Sequence, residues 1–177
     1  MSKGFKLAAV SAAAVTGSLF LGACATSQST QGGSHAGQAV TEAEVIAAQQ
    51  EWGQGSVDIS SVHASNGNYR QRAMDHINSL YAYGMTDVML KPTLASQDQF
   101  RETFNEALNY FIGRPGTEDS GFAISGWTNV RWDNNAVYTD SDSAMAMGNY
   151  FFTKADGSVT KVEYTFGYVR DNNGDLK

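Results

Sequence analysis

The apolar residues of this chain change their repeat once, and the place of that change limits the fold more than any single motif. Up to about residue 112 they recur at helical spacing, and from Gly121 onward they alternate as on one face of a strand. Thr41 followed by Glu44 is a capping-box pair, and behind it Val45, Ala48, Trp52, Ile59 and Val62 keep one helical face. Gly53 and Gly55 interrupt it at a cost of ~1 kcal/mol each. Asn66-Gly67-Asn68 breaks the pattern, and a second stripe runs Tyr69, Ala73, Ile77, Leu80, with Gly84 as its stop. Val88 to Leu94 is a short apolar run containing Pro92 and is expected to form a strand near an edge or bulge. Ser96 or Asp98 is expected to cap a third helix with the face Phe100, Phe104, Leu108, Phe111, ending at Gly113 ahead of Pro115.

Beyond Gly121 the turns separate strands. Phe122 to Trp132 reads as a strand or pair, Asp133-Asn134-Asn135 as a turn, and Val137 to Thr139 and Ala144 to Thr153 as strands. Asp156-Gly157 is a hairpin signal, after which Val162, Tyr164, Phe166 and Tyr168 alternate. Helices grouped before antiparallel strands give an α+β domain, three N-terminal helices on one face of a curved antiparallel sheet. Asp171-Asn172-Asn173-Gly174 is a further hairpin turn, yet only Asp175, Leu176 and Lys177 follow it. The sheet is therefore expected to lack its last strand. The alternative is that Val159 to Arg170 is a natural edge strand with a frayed tail.

The first forty residues carry a different message. Lys3 and Lys6 precede an apolar run, Leu7 to Leu21, which is shorter than the ~20 residues of a membrane-spanning helix and suits a secretory leader. It ends in Leu21-Gly22-Ala23-Cys24, which resembles the lipobox of bacterial lipoproteins. That resemblance implies a leader over 1–23, lipidation of Cys24, and an outer-membrane anchorage facing the periplasm, since no aspartate follows the cysteine. One acyl chain at ~0.8 kcal/mol per buried methylene holds a protein marginally, and two or more hold it stably. Residues 24–40 are small and polar and read as a tether, leaving 41–177 as one domain. Loss of Lys3 and Lys6 with the leader leaves 10 basic against 18 acidic residues, a net charge of −8. That balance argues against nucleic-acid partners, which are gripped through Lys and Arg on phosphates. The single cysteine, taken by lipid, leaves no disulfide and no thiolate metal site.

Several short stretches, in order, resemble one family. Leu90-Lys91-Pro92-Thr93-Leu94, Phe100-Arg101, Ala107-Leu108-Asn109-Tyr110-Phe111, Gly121-Phe122, Gly126-Trp127, Ala146-Met147-Gly148-Asn149 and Thr165-Phe166-Gly167-Tyr168 are similar to a branch of the nuclear-transport-factor-like (SnoaL-like) cone fold. That branch is related to the association domain of calcium/calmodulin-dependent kinase and includes the iota-class carbonic anhydrases. Some bacterial relatives are labelled phosphoribosyl-AMP cyclohydrolase, but the cysteine and aspartate motifs of that metalloenzyme are missing from this domain. The iota-class resemblance implies reversible hydration of carbon dioxide with no metal cofactor, in a homodimer. It implies that a threonine, a tyrosine and a serine hold water beside apolar side chains. Thr93 matches the threonine and Tyr110 the tyrosine, whereas the serine belongs to a terminal strand beyond a turn like that at 172–175.

The residues themselves leave other readings open. Tyr110 lies beside the Phe104/Leu108/Phe111 stripe and suits a core aromatic with one hydrogen bond, and Thr93 suits an ordinary strand residue. If that strand is regular, Lys91 and Met89 share the face of Thr93. Zinc brings the pKa of water from ~15.7 to ~7, worth roughly 12 kcal/mol, which hydroxyls alone do not supply. A metal-free site must instead move the proton as water attacks. His63 and His76, on separate helices, read as hydrogen-bonded structural residues rather than ligands. Asp171, Asn173 and Asp175 read as a turn rather than a calcium loop. A non-catalytic association or ligand-binding module of the same fold is the rival to the enzyme.

Overall fold

The computed structural model describes residues 39–177, so the leader, Cys24 and all of the tether but residues 39 and 40 lie outside the described residues. Helix α1 spans Glu42–Ala64, and its capping box forms as the sequence requires: Glu44 N donates to Thr41 Oγ1 and Thr41 N to the Glu44 carboxylate. The two glycines do not break it, because one of them is needed there. A Cβ on Gly55 would stand 2.1 Å from Nδ1 of His76, so this glycine lets α2 (Tyr69–Leu80) seat its buried histidine against α1. Helix α3 (Phe104–Ile112) ends at Gly113, as its pattern predicts.

Three expectations before α3 fail. Helix α2 stops at Leu80, closed by Tyr81 and not by Gly84. Val88–Leu94 forms no strand: Pro92 accepts from Ala95 N in a turn, and Met89 and Leu94 are 95 % and 92 % exposed instead of lying on a covered face. Neither Ser96 nor Asp98 caps α3. Their backbone N–H groups are taken by the Glu118 carboxylate, and the cap falls to Thr103 in a second capping box with Glu106.

The sheet is an antiparallel meander, β1 (Trp127–Thr139), β2 (Ser143–Lys154) and β3 (Val159–Val169), in the order β1-β2-β3. Phe122–Ile124 is a single 3-10 turn leading into β1 rather than part of the strand. The expected turn at Asp133–Asn135 is also absent as such: β1 runs through it, and the register slips between Asn134 and Ala136 as a bulge. Gly148 faces that bulge, where a Cβ would meet Asp133 O at 2.2 Å and Asn134 Cα at 2.9 Å. After β3, the Asp171 side chain accepts from Asn173 N and Asp175 N, and the chain turns back so that Val169 and Lys177 exchange backbone hydrogen bonds. Apart from this and the Arg170–Leu176 bridge, the outer edge of β3 is unpaired among the described residues.

The core lies between the helices and one sheet face. Ile59, Ile77, Leu108, Phe111 and Phe152 are essentially inaccessible, each contributing about 1.5–3 kcal/mol by burial. Ser60 ties the 3-10 turn and the start of β1 to α1, donating to Ala123 O at 2.7 Å and accepting from Trp127 N at 2.9 Å.

Candidate functional site

Two open clefts of about 610 and 620 Å³ are cut into the domain, and Pro92, Thr93, Tyr110 and Tyr150 line both. The first also has Trp52, Leu90, Lys91 and Phe166 in its walls, and the second Phe122, Trp127, Phe152 and Lys161. A largely aromatic hollow with a few hydroxyls at its waist suits a small, weakly polar molecule that becomes charged on reaction.

Each hydroxyl comes from a different kind of element. Thr93 sits in the 92–95 turn with its side chain exposed to the clefts, and Pro92 beneath it is buried. Tyr110 stands in the last turn of α3, half-buried, its ring stacked on Phe122 at 5.4 Å between centroids. Tyr150 projects from the inner face of β2. The structure thus brings Thr93 and Tyr110 to one place, which the sequence reading expected, although the carrier of Thr93 is a turn rather than a strand. Lys91 and Met89 are exposed beside it, and Lys91 lines the first cleft.

Two loops must stay in register for those hydroxyls to converge, and carboxylates join them. Glu118 accepts from the backbone N–H groups of Ser96, Gln97 and Asp98 at 2.8, 3.0 and 2.8 Å. These donors, that of Ser96 foremost, lower its pKa to about 2. Asp119 holds the buried Arg101 by two bonds, at 3.2 Å to Nε and 2.6 Å to Nη2, a bidentate geometry that fixes orientation as well as distance. Arg101 also donates to Asp98 O and Phe100 O, and its own N–H bonds Leu90 O, three residues before Thr93. Arg101 appeared in the sequence only as part of a resemblance, and Glu118 carried no signal beyond its charge.

Burial governs the ionisation of the site. Desolvation, with the neighbouring Tyr150 second, holds the Tyr110 hydroxyl far above its ordinary pKa, and desolvation pushes Tyr150 up to about 12. Both are therefore neutral donors at physiological pH. His76 is buried against Trp52 and Phe111, and its Nε2 has no partner among the described residues, contrary to the expected hydrogen-bonded role. Burial lowers its pKa to about 3. His63 stacks edge-on against Tyr69. Among the described residues no three histidine, cysteine, aspartate or glutamate side chains gather in a metal-holding cluster.

Helices capped onto an open antiparallel meander, with hydroxyls at the waist of an aromatic hollow, define a class of small-molecule site on an α+β sheet. Residues 43–177 match the family described as metal-independent carbonic anhydrase. A metal-independent carbonic anhydrase of Nostoc sp. is 38% identical over 145 residues, 79% of this chain and 71% of the relative. The crystal structure of an iota-carbonic anhydrase from a cyanobacterium, complexed with bicarbonate, superposes with a TM-score of 0.75 at 38% identity, covering 78% of this chain and 88% of that one. A calcium/calmodulin dependent protein kinase II association domain from Xanthomonas campestris is more distant, with a TM-score of 0.48 at 20% identity over 77% of this chain and 82% of its own. The chain belongs to the metal-independent carbonic anhydrase family.

Proposed function

We propose that this protein catalyses the reversible hydration of carbon dioxide to bicarbonate and a proton, without a metal cofactor. The observation that carries the reading is the convergence of Thr93 and Tyr110 on one aromatic-walled hollow. It is supported by 38% identity to an iota-carbonic anhydrase whose structure holds bicarbonate. Carbon dioxide rests on the apolar walls. Thr93 orients the attacking water by accepting from it, and Tyr110, which keeps its proton, donates to the oxygen that gains charge. The water oxygen bonds to carbon as one C=O electron pair moves onto oxygen, and the released proton passes through solvent in the clefts. Because free hydroxide is inaccessible at neutral pH, positioning and concerted proton movement do the work.

Stopped-flow hydration of carbon dioxide tests this. Thr93→Ala and Tyr110→Phe should each lower the rate by ~10²-fold or more, with activity surviving exhaustive chelation. A protein that hydrates no faster than buffer, yet forms a defined oligomer, belongs to the rival class of association modules.

The address and assembly belong to the same proposal. The Leu21-Gly22-Ala23-Cys24 ending supports a leader over 1–23 and a lipid on Cys24, with the 41–177 domain tethered to the outer membrane in the periplasm. Cys24→Ser should then leave unprocessed precursor and abolish detergent-phase partitioning; efficient cleavage of that variant to a soluble product would sink the lipoprotein reading. The outward sheet face shows Tyr138, Met145 and Met147 at 65 %, 55 % and 49 % exposure. That apolar strip supports a homodimer, which Met147→Glu should weaken in light scattering.

A further inference from the structure

Tyr150 shares with Tyr110 one feature that the other tyrosines packed around it, Tyr81, Tyr83, Tyr164 and Tyr168, lack. Tyr81 accepts from Trp52 Nε1 at 2.8 Å, Tyr83 donates to Arg101 O at 2.7 Å, and Tyr164 closes a ring of bonds with Gln49 and Asn134. The Tyr168 hydroxyl lacks a partner but is sealed from solvent. The Tyr150 hydroxyl has no partner among the described residues, yet it is not sealed, and its residue lines both clefts with Thr93 and Tyr110.

Its ring has little freedom. Centroids of Phe152, Trp132, Tyr164, Trp52 and Phe166 lie 4.6, 5.1, 5.3, 5.9 and 6.2 Å from its own. A ring enclosed on that many sides has no second rotamer to enter without displacing a neighbour. Its hydroxyl is therefore held in one place on the wall that the two clefts share. A structural tyrosine would gain by bonding to the chain, and a buried ring needing only volume would be served by phenylalanine.

We infer that Tyr150 is a substrate-contacting residue of the hydration site, its hydroxyl donating to a carboxylate oxygen of bicarbonate from the β2 side, across from Tyr110 and Thr93. The inference rests on the reading of the preceding section and adds to it a third hydroxyl, from within the sheet. During hydration the C–O bond forms from water, charge collects on the oxygen that Tyr150 bonds, and the proton leaves to solvent. Tyr150 keeps its own proton throughout, consistent with a pKa pushed up to about 12 by burial. A preformed donor costs no reorganisation as charge develops, and losing one such donor typically costs ~10²-fold in rate.

The test is Tyr150→Phe beside Tyr164→Phe, which deletes the same atom from the closed ring of bonds. Stopped-flow hydration, the bicarbonate affinity read by 13C line broadening, and Tm are measured for both. Tyr150→Phe should lose tenfold or more in kcat/KM and bind bicarbonate more weakly with Tm unmoved, while Tyr164→Phe should lower Tm and leave both other quantities alone. Unchanged rate and affinity in Tyr150→Phe would overturn the assignment, as would a fall in Tm with no change in either. If the unaltered protein hydrates no carbon dioxide, the proposed function fails but bicarbonate binding still decides: weaker binding by Tyr150→Phe upholds the contact, and equal or absent binding refutes it.

Discussion

Two neighbouring patches of the inner sheet face, one closed and one open, treat polar groups in opposite ways. Where α1 crosses the bulge of β1, Gln49 is 2 % exposed, donates to the Tyr164 hydroxyl at 3.1 Å and accepts from Asn134 Nδ2 at 2.9 Å, while Tyr164 donates to Asn134 Oδ1. Each member satisfies another, and nothing is left over for a ligand. At the clefts, Tyr110 and Tyr150 keep their hydroxyls unpaired among the described residues, and Glu118 and Arg101 satisfy the loops around them. In the ring of Gln49, Asn134 and Tyr164, buried groups that cost about 1–3 kcal/mol each to leave unpaired are closed on one another. Hydroxyls left facing the clefts are free to meet a ligand.

Three experiments set stability at the closed patch against activity at the open one. The largest effect belongs to Gly148→Ala. The added methyl would press on Asp133 O and Asn134 Cα, backbone atoms that move only if the bulge is rebuilt. We expect a loss of about 3 kcal/mol in urea denaturation, and an unaltered midpoint would show that the bulge, and with it the closed patch, is soft.

His76, buried against Trp52 and Phe111, makes stability fall with acid. Its folded pKa of about 3 lies below the ordinary 6.5, so the unfolded chain binds the proton more tightly. The contribution is complete above pH 6.5 and declines as pH falls toward 3, at ~1.4 kcal/mol per unit. Denaturation at pH 6.5 and pH 5 should therefore differ by ~2 kcal/mol. The carboxylates whose pKa values are also lowered, Glu44, Asp58, Glu106, Glu118, Asp156 and Asp171, begin to protonate in the unfolded chain only near the bottom of that window and together add only a small part of that difference. In His76→Asn most of the slope over that window should vanish; a slope that persists undiminished would place the titrating group elsewhere.

Glu118→Gln is the smallest perturbation and the sharpest for the open patch. The amide keeps an acceptor but presents N–H groups to the Ser96–Asp98 donors. Displacing the Thr93 turn slightly should cost about tenfold in rate, with Tm almost unchanged because the carboxylate is on the surface. Equal losses of rate and Tm would show the loops to be part of the closed patch after all.

Much of the fold was legible because local chemistry and tertiary structure agree. The capping box at Thr41, the Tyr69/Ala73/Ile77/Leu80 stripe, the stop at Gly113 and the alternation through Tyr168 all appear as their patterns predict. The failures lie where a distant residue decided the outcome. Ser96 and Asp98 look like caps, but Glu118, twenty residues away, claims their neighbourhood. Asp133-Asn134-Asn135 looks like a turn, but Gly148 across the ladder admits a bulge. Of the residues that line both clefts, Thr93 and Tyr110 were singled out through family resemblance, whereas Tyr150 was hidden in plain alternation between Ala146 and Phe152. Nothing in a strand pattern tells a hydroxyl that meets a cleft from one that meets a glutamine.

Trp52 gives the molecule an optical property. Its indole has His76, Phe111, Phe122, Trp132, Tyr150, Phe152 and Phe166 as ring neighbours, with Trp132 at 5.7 Å and 77°. All three tryptophans of the chain belong to this one aromatic cluster, and Trp52 also borders the first cleft. Two indoles held that close and nearly perpendicular should couple their excited states. The folded domain should therefore show an intense, sign-split near-ultraviolet dichroism that collapses on unfolding. The same chromophore overlooks the site, so filling the hollow with an anion should quench or shift its emission, and the protein would report its own occupancy without a label.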